Sequence, residues 1–129
     1  MNILIKDEQL NGTITNQFEI EIQDSYISTK ELIEKRVTFE VENYNKKLPN
    51  YFNGLVEPSD AERTLNGFKL KPKQIIDIEK QVYIALDAFQ KNNFFILVDN
   101  QQLEELDQKV YLNKHSNVSF IKLTPLVGG

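Results

Sequence analysis

Residues 1–24 hold two stretches in which apolar and polar side chains alternate, joined by an Asn-Gly pair. In MNILIKD, Met1, Ile3 and Ile5 share one side and Asn2 and Lys6 the other, with Leu4 as the exception. In QFEIEIQD, at 17–24, Phe18, Ile20 and Ile22 face one way and Glu19 and Glu21 the other. Period-two alternation marks a strand with one buried face. Asn11-Gly12, inside LNGT, is the strongest two-residue turn signal because both residues tolerate positive φ. The chain therefore opens as a β-hairpin, with a loop a little longer than minimal and one apolar face to be covered.

The cover follows directly. Ser28 and Glu31 have capping-box spacing, and Ile27 and Leu32 have hydrophobic-staple spacing, so a helix starts at Thr29. Ile33, Val37, Val41 and Tyr44 recur at helical intervals, with Leu48 one turn on. The β-branched Val37, Thr38 and Val41 lower the intrinsic propensity, but the cap and the stripe outweigh them. Pro49 ends the helix.

Residues 49–76 are less regular and are punctuated by Asn53-Gly54, Pro58 and Asn66-Gly67. TLNGFKL has the look of a small hairpin. Asp77 then caps a second helix whose stripe is Ile78, Val82, Ala85, Leu86 and Phe89, with Asn92 or Asn93 in the left-handed conformation that stops it. FFILVD is a strand ending in a turn at Asp99-Asn100. QQLEEL is at most a short edge segment. NVSFIKLTPLVGG closes the sequence as a strand, with Pro125 barring further pairing on one side. Strands grouped with helices on one face give an α+β class.

Composition narrows the function. The 129 residues fit one domain, 1–129, and 40% apolar with 26% charged residues is a folded composition. There is no cysteine, so disulfides, thiolate metal sites and a cysteine nucleophile are excluded. The net charge of −4 is spread along the chain without a basic stripe, which argues against nucleic acid. No apolar run is long enough for a membrane. The N-terminus lacks the basic-then-apolar form of a signal peptide. A cytoplasmic setting is expected.

The last eleven residues read SFIKLTPLVGG. Two terminal glycines arise by chance in roughly one chain in 200, so alone they prove little. Together with the element order they matter. MNILIKD, TITNQFEIEIQDSYISTKELIEKRV, FFILVDNQQLEEL and KHSNVSFIKLTPLVGG resemble the opening hairpin, capped helix and closing half of the β-grasp fold of ubiquitin-like proteins. The resemblance covers roughly 1–37 and 94–129. Residues 45–93, comprising an extended helix end, a loop and a second helix, have no counterpart in ubiquitin. The block GLVEPSDAERTLNGFKL is similar to ubiquitin-like proteins of bacterial operons that also encode activating, conjugating and deconjugating enzymes. The tail PLVGG departs from ubiquitin, which has arginines interleaved before its glycines.

The resemblance implies a protein modifier that is not itself an enzyme and holds no cofactor. A partner activating enzyme would use ATP to adenylate the carboxylate of Gly129, the acyl donor, and pass it to a cysteine as a thioester. A conjugating enzyme would deliver it to target proteins, and a deconjugating protease would remove it. Glycine suits this end because backbone without Cβ enters a narrow channel. Gly128 gives steric relief, and Pro125, Leu126 and Val127 guide a tail whose five extended residues reach about 16 Å. The bacterial subgroup further suggests a part in antiviral defence. Two other readings are a sulfur carrier, in which the same carboxylate becomes a thiocarboxylate, and a β-grasp binding domain with an idle tail. The inserted 45–93 argues mildly for the modifier, since carriers tend to be minimal.

Other candidates have bland readings. Leu4, Ile96, Val98 and Leu123 would make a partner patch if exposed, but apolar strand residues are mostly core. Phe94 and Phe95, being adjacent, face opposite ways, so one lies outside the sheet or under the inserted helix. His115, beside Ser116 and Asn117, reads as a solvated loop residue. Glu104, Glu105 and Asp107 form a solvated turn rather than a metal site. KLKPK, at 69–73, reads as a wet loop. The insertion is equally a docking face for partner enzymes or a structural cover.

Overall fold

The computed structural model describes residues 1–123. Strands β1 (Asn2–Glu8) and β2 (Ile14–Glu21) form the expected antiparallel hairpin. Gly12 takes φ +88° in its turn, and its N–H donates to the Gln9 carbonyl at 2.9 Å. Ile3 pairs with Ile20 and Ile5 with Phe18. Ile3, Ile5, Ile20 and Ile22 are buried, Phe18 and Leu4 are half-buried, and Glu19 and Glu21 are exposed.

A short strand, β3 (Tyr26–Ser28), leads into helix α1 (Thr29–Lys47). The capping box is complete. The Ser28 hydroxyl accepts from the Glu31 N–H at 3.1 Å, and the Ser28 N–H donates to Glu31 Oε1 at 3.3 Å. Leu32, Ile33, Val37, Val41 and Tyr44 are buried along one stripe. Each such aliphatic side chain contributes about 1.5–3 kcal/mol by burial, which outweighs the propensity lost at the valines. Leu48 closes the helix at φ +43°, with its N–H on the Tyr44 carbonyl, and Pro49 follows.

Within 49–76, β4 (Ala61–Thr64) and β5 (Gly67–Leu70) pair antiparallel as the small hairpin expected from TLNGFKL. Gly67 sits at φ +127°, a value only glycine adopts freely, and an added Cβ would meet the Asn53 side chain. Helix α2 (Ile78–Gln90) is capped by Asp77, whose carboxylate accepts from the Lys80 N–H at 3.2 Å. Its buried line differs from the expected one. Gln81, Ala85, Ala88 and Phe89 are buried, while Ile78, Val82 and Leu86 are only half-buried. Gln81 tolerates the interior because its amide donates to the Val56 carbonyl at 2.9 Å, a satisfied bond that period counting does not see. Asn92 takes the left-handed conformation after the helix, at φ +59°.

β6 (Phe94–Val98) and the edge strand β7 (Gln101–Leu103) flank Asp99-Asn100, at φ +49° and +69°. Strands β8 (Lys109–Tyr111) and β9 (Val118–Lys122) follow. β8 pairs antiparallel with β3, and neither was expected, because three residues are too few for alternation to register. The main sheet runs β2-β1-β9-β6-β7, with β9 parallel to β1 and antiparallel to β6. The class is α+β, with a mixed five-stranded sheet and two helices among the described residues. Core residues come from β1, β6, β9 and α1, and also from 45–93, where Phe52, Leu55, Leu70, Ile76, Ala85 and Phe89 join the same cluster.

Candidate functional site

Pro125, Leu126, Val127, Gly128 and Gly129 lie outside the described residues. The strand that carries them does not. β9 is hydrogen-bonded on both sides, to β1 and β6, in the middle of the sheet. The expected closing strand is described from Val118 to Lys122, and Leu123 lies beyond its regular pairing.

The end of β9 abuts the insertion. Alternation puts Val118, Phe120 and Lys122 on the core face. Lys122 Nζ donates to the Gly54 carbonyl at 2.9 Å, tying β9 to the loop after α1. Lys122 and Leu123 also line a cleft of about 680 Å³, whose other walls come from 53–57, the β4–β5 hairpin and α2.

Beneath this point is a buried ionic network. Arg36, fully buried on α1, donates through both terminal nitrogens to the two oxygens of Asp7 on β1, one of these bonds measuring 2.7 Å. Its Nε donates to Glu40 Oε1 at 2.6 Å. Glu40 Oε2 accepts from the Leu55 N–H at 3.1 Å. The guanidinium lies 4.4 Å from the Phe120 ring centre and 5.2 Å from that of Phe18. Burial works against the Arg36 charge, but Glu40 and Asp7 outweigh it and raise its pKa. Burial pushes the Glu40 carboxyl up against the opposing pull of Arg36. Burial lowers the Lys122 pKa; Arg36 adds to this, while Asp7 and Glu40 restrain it. With the Asp7 oxygens and Glu40 committed to these bonds, the network is a lock between β1, α1 and the insertion rather than a proton-transfer site.

These charges escaped the reading by residue type, although position gave a signal. Asp7 continues the inward parity of Ile3 and Ile5, Lys122 that of Val118 and Phe120, and Arg36 lies on the α1 stripe between Ile33 and Val37. A charged residue on an apolar parity asks for a partner.

The remaining candidates are placed as follows. Ile96 and Val98 are core, while Leu4 and Leu123 are half-buried. Phe94 is buried 5.9 Å from Phe89 of α2, and Phe95 is half-buried on the other side of the sheet. His115 is exposed in a turn, its N–H on Asn113 Oδ1 at 2.8 Å. Glu104, Glu105 and Asp107 are exposed, and among the described residues no group of side chains is arranged to hold a metal. Lys71 of the basic run pairs with Glu62 at 2.6 Å. The inner side of the insertion is structural cover. Among the described residues no helix is long and apolar enough to cross a membrane. Comparison of the chain with protein-family models, with curated proteins and with solved structures finds no match.

Proposed function

We propose that this chain is a ubiquitin-like modifier of the β-grasp type, similar to those of bacterial conjugation operons, with Gly129 as its acyl donor. The observation that carries the reading is the place of β9. The hairpin, capped helix, strand, short edge strand and last strand occur in the order on which the resemblance rests, and β9 lies between β1 and β6. The tail residues 124–129 are thus covalently continuous with the central strand.

The chemistry uses partners. The Gly129 carboxylate attacks the α-phosphorus of ATP in an activating enzyme, and pyrophosphate leaves. A cysteine thiolate displaces AMP to form a thioester. An amine or hydroxyl of a target protein then displaces the thiol. A deconjugating protease hydrolyses the product. The domain contributes the acyl group and a surface for docking, in a cytoplasmic setting.

The test is expression of an N-terminally tagged chain with its genomic neighbours, with and without Gly129. Heavier bands on denaturing gels that require Gly129 support the modifier. Their survival in hydroxylamine tells an amide from an ester. A mass gain equal to the exchange of one carboxyl oxygen for sulfur, without heavier bands, replaces it with a sulfur carrier. Neither change leaves a non-covalent binding domain.

A further inference from the structure

Lys122 stands in a row of core-facing side chains, after Val118 and Phe120. It is partly buried, and its one side-chain hydrogen bond among the described residues is to the Gly54 carbonyl. Other lysines differ. Lys71 is held by Glu62 and Lys91 by Asp87, and these carboxylates raise their pKa values. Lys122 makes no salt bridge among the described residues. The nearby carboxylates are engaged elsewhere, both Asp7 oxygens by Arg36 and Glu40 by Arg36 and the Leu55 N–H. Burial and the Arg36 charge lower the Lys122 pKa, against Asp7 and Glu40. Its amine is unprotonated, and so nucleophilic, more often at neutral pH than that of a paired surface lysine.

The same side chain lines the cleft of about 680 Å³ beside the insertion. Val56, Leu65, Phe68, Ile84 and Leu123 give that cleft apolar walls. Leu65, at the tip of the β4–β5 hairpin, is fully exposed. An apolar chain attached at Lys122 has apolar surface to cover within reach.

We propose that Lys122 is an acylation site, taking an apolar acyl group from a thioester, with the acyl chain seated in the cleft. The lysine nitrogen attacks the thioester carbonyl and forms the C–N bond. The C–S bond breaks, the thiolate leaves with the electron pair, and the nitrogen gives up one proton, which the thiolate takes. The products are an amide and a free thiol, and no oxidant or further co-reactant is needed. The inference stands whether or not the chain is a modifier.

The experiment uses the full chain without any variant, incubated at about pH 7 with limiting acetyl-CoA or hexanoyl-CoA, followed by peptide mass spectrometry of every lysine. The expected result is that Lys122 is acetylated at least about threefold faster than Lys71 and Lys91. Hexanoyl-CoA is expected to widen that lead. Modification of Lys122 no faster than Lys71 overturns the proposal. Equal preference for the two acyl groups overturns the role of the cleft.

Discussion

Arg36 holds Asp7 at two points, so helix α1 and the first strand are joined by an ion pair that solvent does not reach. A guanidinium matched to a carboxylate in this way satisfies both oxygens at once. Glu40 extends the pair to the backbone of the insertion at Leu55. The consequence is an asymmetry between removing one partner and removing both.

Asp7→Asn leaves the Arg36 charge buried with half its compensation. Loss of about 3–5 kcal/mol is expected in urea unfolding. The double variant Asp7→Leu with Arg36→Met is expected to lose clearly less than the sum of its single changes, because the Asp7–Arg36 attraction is lost only once, although Glu40 is left without its Arg36 partner. Additive losses would show that the two residues do not act as a pair.

Ser28→Ala removes the hydroxyl that accepts the Glu31 N–H. It also removes the hydroxyl's bond to Glu31 Oε1, the lesser of the two Ser28 bonds that lower the Glu31 pKa; the backbone N–H bond, the larger cause, remains. A stability loss of about 1 kcal/mol is expected, with Ser28→Thr recovering most of it. Denaturant titrations of the three proteins decide this, and an unchanged midpoint for the alanine variant would refute it.

Lys122 ties stability to alkaline pH. Burial holds its folded pKa below the ordinary 10.5. Between the folded value and 10.5 the unfolded chain binds more protons than the folded one, so stability rises with pH across that window. Lys122→Met lacks the titrating group. The stability difference, wild type minus variant, is therefore expected to grow as pH rises through the window and to level off above it. Parallel stability curves would contradict the assignment of a lowered pKa.

The legible parts of the fold are those where one local rule acts alone. Ser28 and Glu31 marked the start of α1, Asp77 the start of α2, and Asn66-Gly67 the small hairpin, because caps and turns are decided within a few residues. The pairing of Tyr26–Ser28 with Lys109–Tyr111 was not legible, since it depends on what α1 and the following turn bring together. On α2 the expected Ala85 and Phe89 are buried and Ile78, Val82 and Leu86 pack half-buried on the core, but the burial of Gln81 was not legible, because it rests on a bond to the Val56 carbonyl rather than on apolarity. The Arg36 network was hidden because Asp7 and Leu55 lie far in sequence from the helix pair Arg36 and Glu40, and because Asp7 and Arg36 are core by position, not by type. Of the candidate site, the tail residues 125–129 were picked out from sequence, and the built surroundings of Lys122 came only from the structure.

A modifier of the proposed kind becomes covalently joined to other proteins through Gly129. Trypsin cuts after Lys122 wherever its amine is free, so a target conjugated by such a chain carries the remnant LTPLVGG, residues 123–129, on one of its side chains. The decisive measurement is peptide mass spectrometry of proteins purified under denaturing conditions through a tag on the N-terminus of this chain, expressed with its genomic neighbours. Branched peptides bearing that remnant through Gly129 are expected. Recovery of LTPLVGG only as a linear peptide with a free carboxylate would contradict the proposed function.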